Sequence, residues 1–250
     1  MTEKLYGWGL PVNVSAHGAD IDRLIWIIHG FMLVLFVGWS IFFIVVLVKF
    51  RARPGRKADY HGRHFKLPTA AEVFVAIFEI VLLFALAFPI WNRTRQSFDL
   101  STNPLIVRVI AEQFAWNVHY PGPDGIFGRT RTELMGAANP TGLDPDDPAG
   151  KDDITTVNQL VVPVDRPVAV RLSSKDVIHS FGIPVMRVKQ DAIPGQSIDV
   201  YFQAKRTGDF EIVCSQLCGL GHYRMRGFFI VKTKEEFQAW LDERHAERVL

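Results

Sequence analysis

The sequence Cys214-Ser-Gln-Leu-Cys218-Gly-Leu-Gly-His222-Tyr-Arg-Met225 places two thiols, one imidazole and one thioether within twelve residues. Thiolate and thioether are soft ligands and imidazole is borderline, a mixture that suits copper in an electron-transfer role better than zinc or hard cations. These are the only cysteines in the chain, so a short disulfide in an oxidising compartment is the alternative. A disulfide would close a small loop, stabilise little and leave His222 and Met225 unexplained. The stretch therefore predicts a copper site, which needs a rigid frame because an electron carrier should change geometry little between redox states.

The residues around this stretch indicate a β-sheet frame. Beyond residue 91, short runs with strand-like composition are separated by Pro, Gly and Asp, and several alternate with a period of two. Six such runs in an extracytoplasmic module predict a β-sandwich. The runs are 105–110, 159–164, 167–172, 197–202, 209–213 and 227–231. Residues 121–158, rich in Gly, Pro and Asp, are expected to form a long surface insertion, and 234–249 an amphipathic C-terminal helix.

The N-terminal third has the composition of a membrane hairpin. Residues 24–48 contain no acid or base except His29, and at 1.5 Å per residue they are long enough to cross a hydrocarbon core of ~30 Å. A second apolar segment, 69–91, carries only Glu72 and Glu79 and is expected to cross as well. The first 20 residues do not resemble a cleaved signal peptide, so residues 1–23 are expected to stay as an N-terminal segment.

The charge pattern orients this hairpin. Residues 49–66 hold seven Lys or Arg against one acid, so the loop 49–68 is expected on the cytoplasmic side and both termini outside. Residues 92–250 hold 19 bases and 20 acids, so the basic character belongs to the hairpin. No basic face for nucleic acid is therefore indicated. The expected location is a bacterial-type inner (plasma) membrane, with residues 92–250 as a periplasmic domain.

The pattern C-x-x-x-C-x-x-x-H-x-x-M resembles the dinuclear copper motif, CuA, of subunit II of the haem–copper respiratory oxidases. A second segment is similar to the one that supplies a further histidine in that family. It reads Asp176-Val-Ile-His179-Ser-Phe-Gly-Ile-Pro184, followed by Lys189-Gln-Asp191-Ala-Ile-Pro-Gly195. With the membrane hairpin, the resemblance covers nearly the whole chain. It implies a two-helix transmembrane hairpin followed by an all-β, cupredoxin-like Greek-key sandwich.

The resemblance also implies a ligand set for two copper ions. Cys214 and Cys218 would bridge both metals as thiolates. His179 and Met225 would complete one metal. His222 and the backbone carbonyl of Gln216 would complete the other.

Three positions depart from the usual family pattern. Gln216 stands where a Glu usually helps to bind magnesium or manganese at the boundary with the catalytic subunit, which puts that second metal in doubt. The segment that usually reads Gln-Trp-Tyr-Trp is Gln113-Phe114-Ala115-Trp116 here, so Phe114 stands at the usual point where electrons enter from soluble cytochrome c. We therefore expect Phe114 or Trp116 only to line the route from a donor held in a neighbouring complex.

The third departure concerns the second membrane segment, where Glu72-Val-Phe-Val replaces the usual Glu-x-x-Trp. Glu72 still matches the acid near the mouth of a proton-uptake path, although a solvated carboxylate at the end of a span is an equally good interpretation. Glu79 lies seven residues further along the same helical face. An ionised carboxylate there would be costly against lipid, so we expect Glu79 to face a partner helix.

The resemblance implies that the chain is subunit II of a cytochrome c oxidase. It would accept single electrons from a cytochrome c-type donor and pass them to haem in subunit I, which also holds the CuB copper; subunit III is a further expected partner. Oxygen would be reduced in subunit I with coupled proton translocation, and this chain alone should have no oxidase activity. The alternative from another class is a membrane-tethered protein for copper binding and delivery, which would favour exposed ligands on mobile loops.

Overall fold

The structure is a computed structural model that describes residues 9–55, 57, 66–95 and 102–249. The predicted segments 1–23, 49–68 and 92–250 therefore lie partly outside the described residues, as do the bases Arg56 and Arg63. The chain forms two compact units. One is Asp20–Arg93, and the other combines Met1–Ala19 with Thr94–Leu250.

The first unit is helical. Helix α1 spans Gly18–Phe50, and the second long helix comprises α2 (Leu67–Val81), a π-helical stretch (Leu82–Ala87) and α3 (Phe88–Arg95). Both Gly18–Phe50 and Leu67–Thr94 are long and apolar enough to cross a membrane. The 33 residues of α1 extend about 50 Å, well beyond the ~30 Å of a hydrocarbon core. Residues 24–48 and 69–91 thus lie inside helices that are longer than the sequence pattern indicated.

The second unit is a sandwich of two five-stranded sheets. One sheet has the order β3-β2-β1-β5-β8 and the other β4-β10-β9-β6-β7. The strands are β1 Leu105–Glu112, β2 Ala115–Tyr120, β3 Ile154–Val157, β4 Gln159–Pro163, β5 Pro167–Ser174, β6 His179–Ile183, β7 Val188–Ala192, β8 Ile198–Gln203, β9 Gly208–Cys214 and β10 Arg226–Lys232. Two pairs, β1 with β5 and β4 with β10, are parallel, and the chain crosses repeatedly between the sheets. This is the connectivity expected of a Greek-key sandwich.

Each of the six predicted strands is present, and four others were not predicted. Strands β2 and β6 are buried almost throughout, so their sequences lack the alternation that marks a half-exposed strand. Strand β7 carries Lys189, Gln190 and Asp191 at its centre, and β3 has only four residues. Because β3 lies within 121–158, the segment between β2 and β3 is shorter than the predicted insertion.

The sandwich core is aromatic and aliphatic. Its largest fully buried side chains include Trp116, Tyr120, Phe181, Phe202 and Phe229. Edge-to-face contacts join Trp116 with Phe181 at 5.5 Å and Phe202 with Phe229 at 5.7 Å between ring centroids. Such rings contribute large buried areas and specific packing, which holds the two sheets in one arrangement.

The C-terminal helix α4, Lys234–Val249, packs against this sandwich. It begins with a capping box, in which the Thr233 N–H donates to the Glu236 carboxylate (2.9 Å) and the Glu236 N–H donates to Thr233 Oγ1 (3.2 Å). Phe237 is buried, and Trp240 contacts Tyr120 edge to face at 5.2 Å. The helix therefore covers the end of the core near β2.

The described part of the N-terminal segment belongs to the sandwich. The Val14 N–H donates to the Val185 carbonyl (3.0 Å), and the Lys205 N–H donates to the Val14 carbonyl (2.7 Å). Arg187 donates to the carbonyl of Pro11 (2.6 Å). Residues 11–16 thus form part of the same unit as the β-strands, a pairing that their mixed sequence did not indicate.

The insertion is held by internal ion pairs. The buried Asp144 carboxylate accepts from Arg129 Nε and Arg131, both at 3.1 Å. Asp153 is fully buried and lies 2.6 Å from His119 Nε2. Asp144 and Asp153 are therefore structural groups of the insertion.

Candidate metal centre

His179 is the first residue of β6 and is completely buried. Its Nε2 lies 2.8 Å from Asp176 Oδ1, so Nε2 carries the proton and donates to the carboxylate. Among the described residues, Nδ1 of His179 has no hydrogen-bond partner although it is buried. A neutral imidazole that is oriented by a carboxylate and has one free buried nitrogen is a typical metal ligand.

Asp176 joins this histidine to the loop between β1 and β2. Its carboxylate also accepts from the backbone N–H groups of Gln113 and Val177, both at 2.7 Å. Partial burial alone would raise the pKa of Asp176, but the hydrogen bonds from His179, Gln113 and Val177 outweigh it and lower the pKa. Asp176 is therefore a carboxylate at neutral pH, suited to hold the proton on Nε2 of His179.

The two cysteines face each other across the loop between β9 and β10. Cys214 ends β9, and its Sγ lies 3.8 Å from Cys218 Sγ. A disulfide requires about 2.05 Å, so both residues are free thiols in this structure. Cys218 Sγ is 3.6 Å from His222 Nδ1 and 3.7 Å from Met225 Sδ.

The predicted ligands gather at one place. The ligand atoms of His179, Cys214 and Cys218 all lie within 4.8 Å of one another. Cys214 Sγ is 3.2 Å from the carbonyl oxygen of Gln216, which brings that backbone group to the same cluster. The set therefore contains two thiols, two imidazole nitrogens, one thioether and one carbonyl, drawn from two loops far apart in sequence.

The protonation state of Cys218 bears on metal binding at the cluster. Burial, followed by the nearby Cys214, raises the pKa of the Cys218 thiol to about 11. Cys218 is therefore a protonated thiol at neutral pH in the metal-free protein. A metal that binds Cys218 would displace this proton, because thiolate is the form of cysteine that binds metal.

A packed support holds the ligand loop against the β1–β2 turn. Gln113 Nε2 donates to the Cys218 carbonyl at 2.6 Å. A Cβ added to Gly221 would lie 2.4 Å from Phe114 Cδ2, so the loop backbone lies directly on this ring. Gly219 has φ +139°, a conformation that favours glycine. The sequence analysis did not predict these supporting roles of Gln113, Gly219 and Gly221, because only the spacing of the ligands is visible in the sequence.

The two aromatic residues expected on an electron route occupy different depths. Phe114 is half-buried above Gly219 and Gly221, whereas Trp116 is fully buried with its ring 6.3 Å from that of His179. Trp116 therefore cannot meet a donor at the surface, but it adjoins a predicted ligand. Phe114 is the one of the pair that reaches solvent.

The ligand loop also carries exposed apolar side chains. Leu217, Leu220 and Tyr223 are 77%, 97% and 84% exposed. These residues alternate with the predicted ligands along the loop. Ser215, Gln216 and Arg224 of the same loop are exposed as well, so the loop presents large apolar side chains beside polar ones, as at a contact face with another protein.

Glu72 and Glu79 belong to the helical unit. Both lie in α2 and are exposed on the helix surface. Their separation of seven residues places them on one face, about 10 Å apart along the axis. Phe78 stacks on Phe31 of α1 at 4.1 Å between ring centroids.

Comparison with known proteins identifies the family. The family model described as "Cytochrome C oxidase subunit II, periplasmic domain" matches residues 105–232, which include every predicted copper ligand. The alternative cytochrome c oxidase subunit 2 of Bradyrhizobium diazoefficiens is 31% identical over 242 residues, 94% of this chain and 83% of that protein. The cytochrome c oxidase subunit 2 of Cereibacter sphaeroides is 29% identical over 243 residues, 93% of this chain and 77% of that protein.

A solved structure of the periplasmic domain of subunit II of cytochrome oxidase from Bradyrhizobium japonicum is 30% identical. It covers 57% of this chain and 94% of that domain, with a TM-score of 0.43. The family match and the two apolar helices make this chain a membrane-anchored subunit with a cupredoxin-like domain. Its full-length relatives are subunits of cytochrome c oxidase, an oxidoreductase. The chain belongs to the cytochrome c oxidase subunit II family.

Proposed function

We propose that this chain is the electron-accepting copper subunit of a terminal oxidase and holds two copper ions at the cluster of His179, Cys214 and Cys218. The observation that carries the proposal is the meeting of two free thiols 3.8 Å apart with a buried, unpartnered imidazole nitrogen. When bound, the copper pair supplies a store for a single electron between donor and haem. The softness of the ligand set supports copper over zinc.

The protein residues have distinct tasks in this proposal. Both cysteines would hold the two copper ions. His179 through Nδ1 and Met225 through Sδ would bind one of them, and His222 with the Gln216 carbonyl would bind the other. Asp176 keeps the proton of His179 on Nε2, and the fully formed sandwich keeps the ligand loops in place. Burial of Cys218 and Met225 (5% and 3% exposed) excludes water from the thiolate and thioether.

The same burial argues against a copper-delivery role. A delivery site must exchange its metal, so its ligands should be open to a partner protein. Here His179 is inaccessible, and Met225 is covered as well. Electron transfer needs no access for a metal ion, only a short distance to the surface, and Phe114 provides an aromatic ring at that surface.

The expected partners follow from the family. Subunit I with its haem and CuB would receive the electron and reduce oxygen with coupled proton translocation, and subunit III would complete the core. A cytochrome c-type donor, held in a neighbouring complex, would supply the electron. A magnesium or manganese ion at the subunit I boundary is not proposed, because Gln216 lacks the carboxylate.

The topology supports a periplasmic copper domain. Residues 11–16 hydrogen-bond within the sandwich, so both ends of the helical hairpin, near Ala19 and Thr94, connect to the same unit. Two membrane crossings therefore return the chain to its starting side. The basic residues at the end of α1 and just beyond it, including Lys49, Arg51 and Arg53, then lie on the cytoplasmic side.

Copper analysis and electron paramagnetic resonance of the purified full-length chain test the function. The proposal expects two coppers per chain and, in the oxidised form, hyperfine structure from two equivalent copper nuclei. A single copper with an isolated-ion spectrum, or replacement of copper by zinc without loss of donor oxidation in the assembled oxidase, would exclude it.

A further inference from the structure

A group of arginines on the sandwich lies apart from the predicted copper ligands. It lies on the outer face of the sheet β3-β2-β1-β5-β8. Residues 107, 109, 170 and 172 of β1 and β5 point into the core and are completely buried, so the alternate residues point outward. Among these outward residues, Arg108 of β1 is the register partner of Arg171 of β5.

This pairing is unfavourable by itself. Like charges directly opposite each other on adjacent strands are destabilising. Arg171 is exposed and, among the described residues, forms no ion pair. Asp199, its register neighbour on β8, accepts a hydrogen bond from Tyr201 at 3.1 Å. Arg108 is half-buried, lies 4.2 Å above the Phe127 ring and donates to the Gly128 carbonyl at 3.3 Å.

A third guanidinium completes the group. Arg166 precedes β5, is half-buried, and donates from Nε to the Asn103 carbonyl at 2.9 Å. Burial lowers the pKa of both Arg108 and Arg166; the charge of Arg171 lowers that of Arg108 further, and the nearby Asp153 acts in the opposite direction. The half-buried guanidiniums of Arg108 and Arg166 have lost part of their solvation, so each would gain from a bound anion.

All three arginines line one cavity of ≈ 830 Å³, which lies between the sheet, the segment 121–127 and helix α4. This volume falls within the range of about 300–1,000 Å³ that is typical of small-molecule sites. Two carboxylates also line the cavity. Asp124 already accepts from the Ile126 N–H (2.8 Å), and Asp242 from the Gln238 amide (2.9 Å). Both carboxylates keep their negative charge, so the three arginines and two aspartates give the lining a net charge of 3 − 2 = +1, and an anion would bind on the arginine side of the cavity.

We propose that this cavity binds a small phosphate-bearing anion with two or more negative charges through Arg108, Arg166 and Arg171. Arginine presents planar forked donors that match phosphate oxygens, so three guanidiniums that line one cavity favour a multiply charged phosphate over chloride. The apolar side chains of Ile106, Phe127 and Leu241 border the same cavity and offer a surface for an organic part of the ligand. The site is independent of the copper ligands, because none of them lines it.

Inorganic pyrophosphate is the probe for this proposal. Isothermal titration at constant ionic strength, on the full-length chain in detergent and on the assembled oxidase, should give one site per chain and binding that weakens with added salt. Arg171→Gln removes an exposed charge and should weaken binding about tenfold or more, the expected loss of one charge-assisted contact. Lys205→Gln is the matched control, because Lys205 is exposed, pairs with Asp165 and does not line the cavity. It should bind pyrophosphate as the wild type does.

Copper content reports folding in each variant, since the ligands lie elsewhere on the sandwich. Arg108→Gln should weaken pyrophosphate binding as well, and if that half-buried change reduces folding, Arg171→Gln still decides the question. Absence of pyrophosphate binding, or equal affinity in Arg171→Gln and Lys205→Gln, would overturn the proposal. So would binding to the isolated chain that is lost in the assembled oxidase, because the cavity would then be occupied by acidic groups of another subunit.

Discussion

The role of Asp176 in supporting the predicted metal centre can be tested by substitution. Asp176 accepts hydrogen bonds from His179 Nε2 and from two backbone N–H groups, and it is not itself a predicted copper ligand. Replacing it by asparagine keeps the size and one carbonyl oxygen. The change removes the negative charge that holds the proton on Nε2 and leaves the Gln113 N–H without a carboxylate acceptor.

The size of the effect follows from the geometry. A hydrogen bond to a charged group contributes about 1.5–3 kcal/mol and a neutral one about 0.5–1.5 kcal/mol, so the exchange costs roughly 1.5 kcal/mol at His179. That corresponds to about a tenfold loss of affinity for the copper that His179 binds. Removal of an outer carboxylate partner typically costs 10–100-fold in metal affinity, which agrees with this value. Asp176→Ala should cause a loss of copper affinity at the upper end of this 10–100-fold range, because it leaves the buried Nε2–H of His179 without any acceptor.

Competition with a copper chelator of known affinity measures this loss on the purified full-length chain. The hyperfine pattern of the oxidised protein should also become less symmetric, since only one of the two coppers loses its oriented imidazole. Asp165→Asn is the control: Asp165 is an exposed turn aspartate at φ +59°, a conformation that asparagine also adopts. It should leave both measurements unchanged.

Wild-type copper affinity together with an unaltered spectrum in Asp176→Asn would contradict this role of Asp176. The free Nδ1 of His179 would then not be the atom that binds the metal, or the imidazole would be held by packing against Trp116 alone. Equal weakening in Asp176→Asn and Asp165→Asn would also refute it, because a general loss of stability would explain both.

Three further predictions concern other parts of the chain. Cys214→Ser or Cys218→Ser should abolish the dinuclear centre, whereas Met225→Leu should keep copper with an altered reduction potential. Copper analysis and redox titration measure these effects, and retention of two coppers in either single cysteine variant would contradict the prediction. Glu72→Gln should slow proton uptake but not copper reduction by the donor, and identical flow-flash kinetics in variant and wild type would remove that role. Asp144→Asn should lower the thermal melting temperature, because two arginines lose a buried, negatively charged partner. The variant should leave electron uptake from a soluble basic cytochrome c unchanged. Strongly slowed uptake at low salt would show that Asp144 has a docking role instead.

The sequence predicted those parts of the fold in which neighbouring residues carry the signal. Strands with one exposed face, such as β5 and β8, alternate along the chain and were recognised. Strand β6 is buried on both faces, so its sequence shows no alternation of apolar and polar residues. The edge pairing of residues 11–16 depends on backbone hydrogen bonds to residues near 185 and 205, which no local pattern encodes.

The same distinction applies to the metal centre. Ligands within one loop have a fixed spacing, and the family resemblance supplied His179 from a distant segment. The groups that position those ligands come partly from other segments of the chain. Gln113 donates to the carbonyl of Cys218, 105 residues away, and Asp176 joins His179, three residues away, to the backbone N–H of Gln113, 63 residues away. The two long-range contacts form only when β1, β6 and the ligand loop meet, so a local sequence pattern does not indicate them.

The position of the aspartates bears on how a donor would dock. An acidic loop attracts a basic cytochrome only if its charges face solvent and are not neutralised. Asp144 is buried between two arginines, and Asp153 is buried beside His119, so neither contributes to such a surface. The loop of the predicted copper ligands instead exposes Leu220 and Tyr223 beside the cation Arg224. Apolar side chains bind through desolvation and shape more than through charge, and an adjacent cation does not attract a basic donor. These features support the proposal of a donor held within a neighbouring complex.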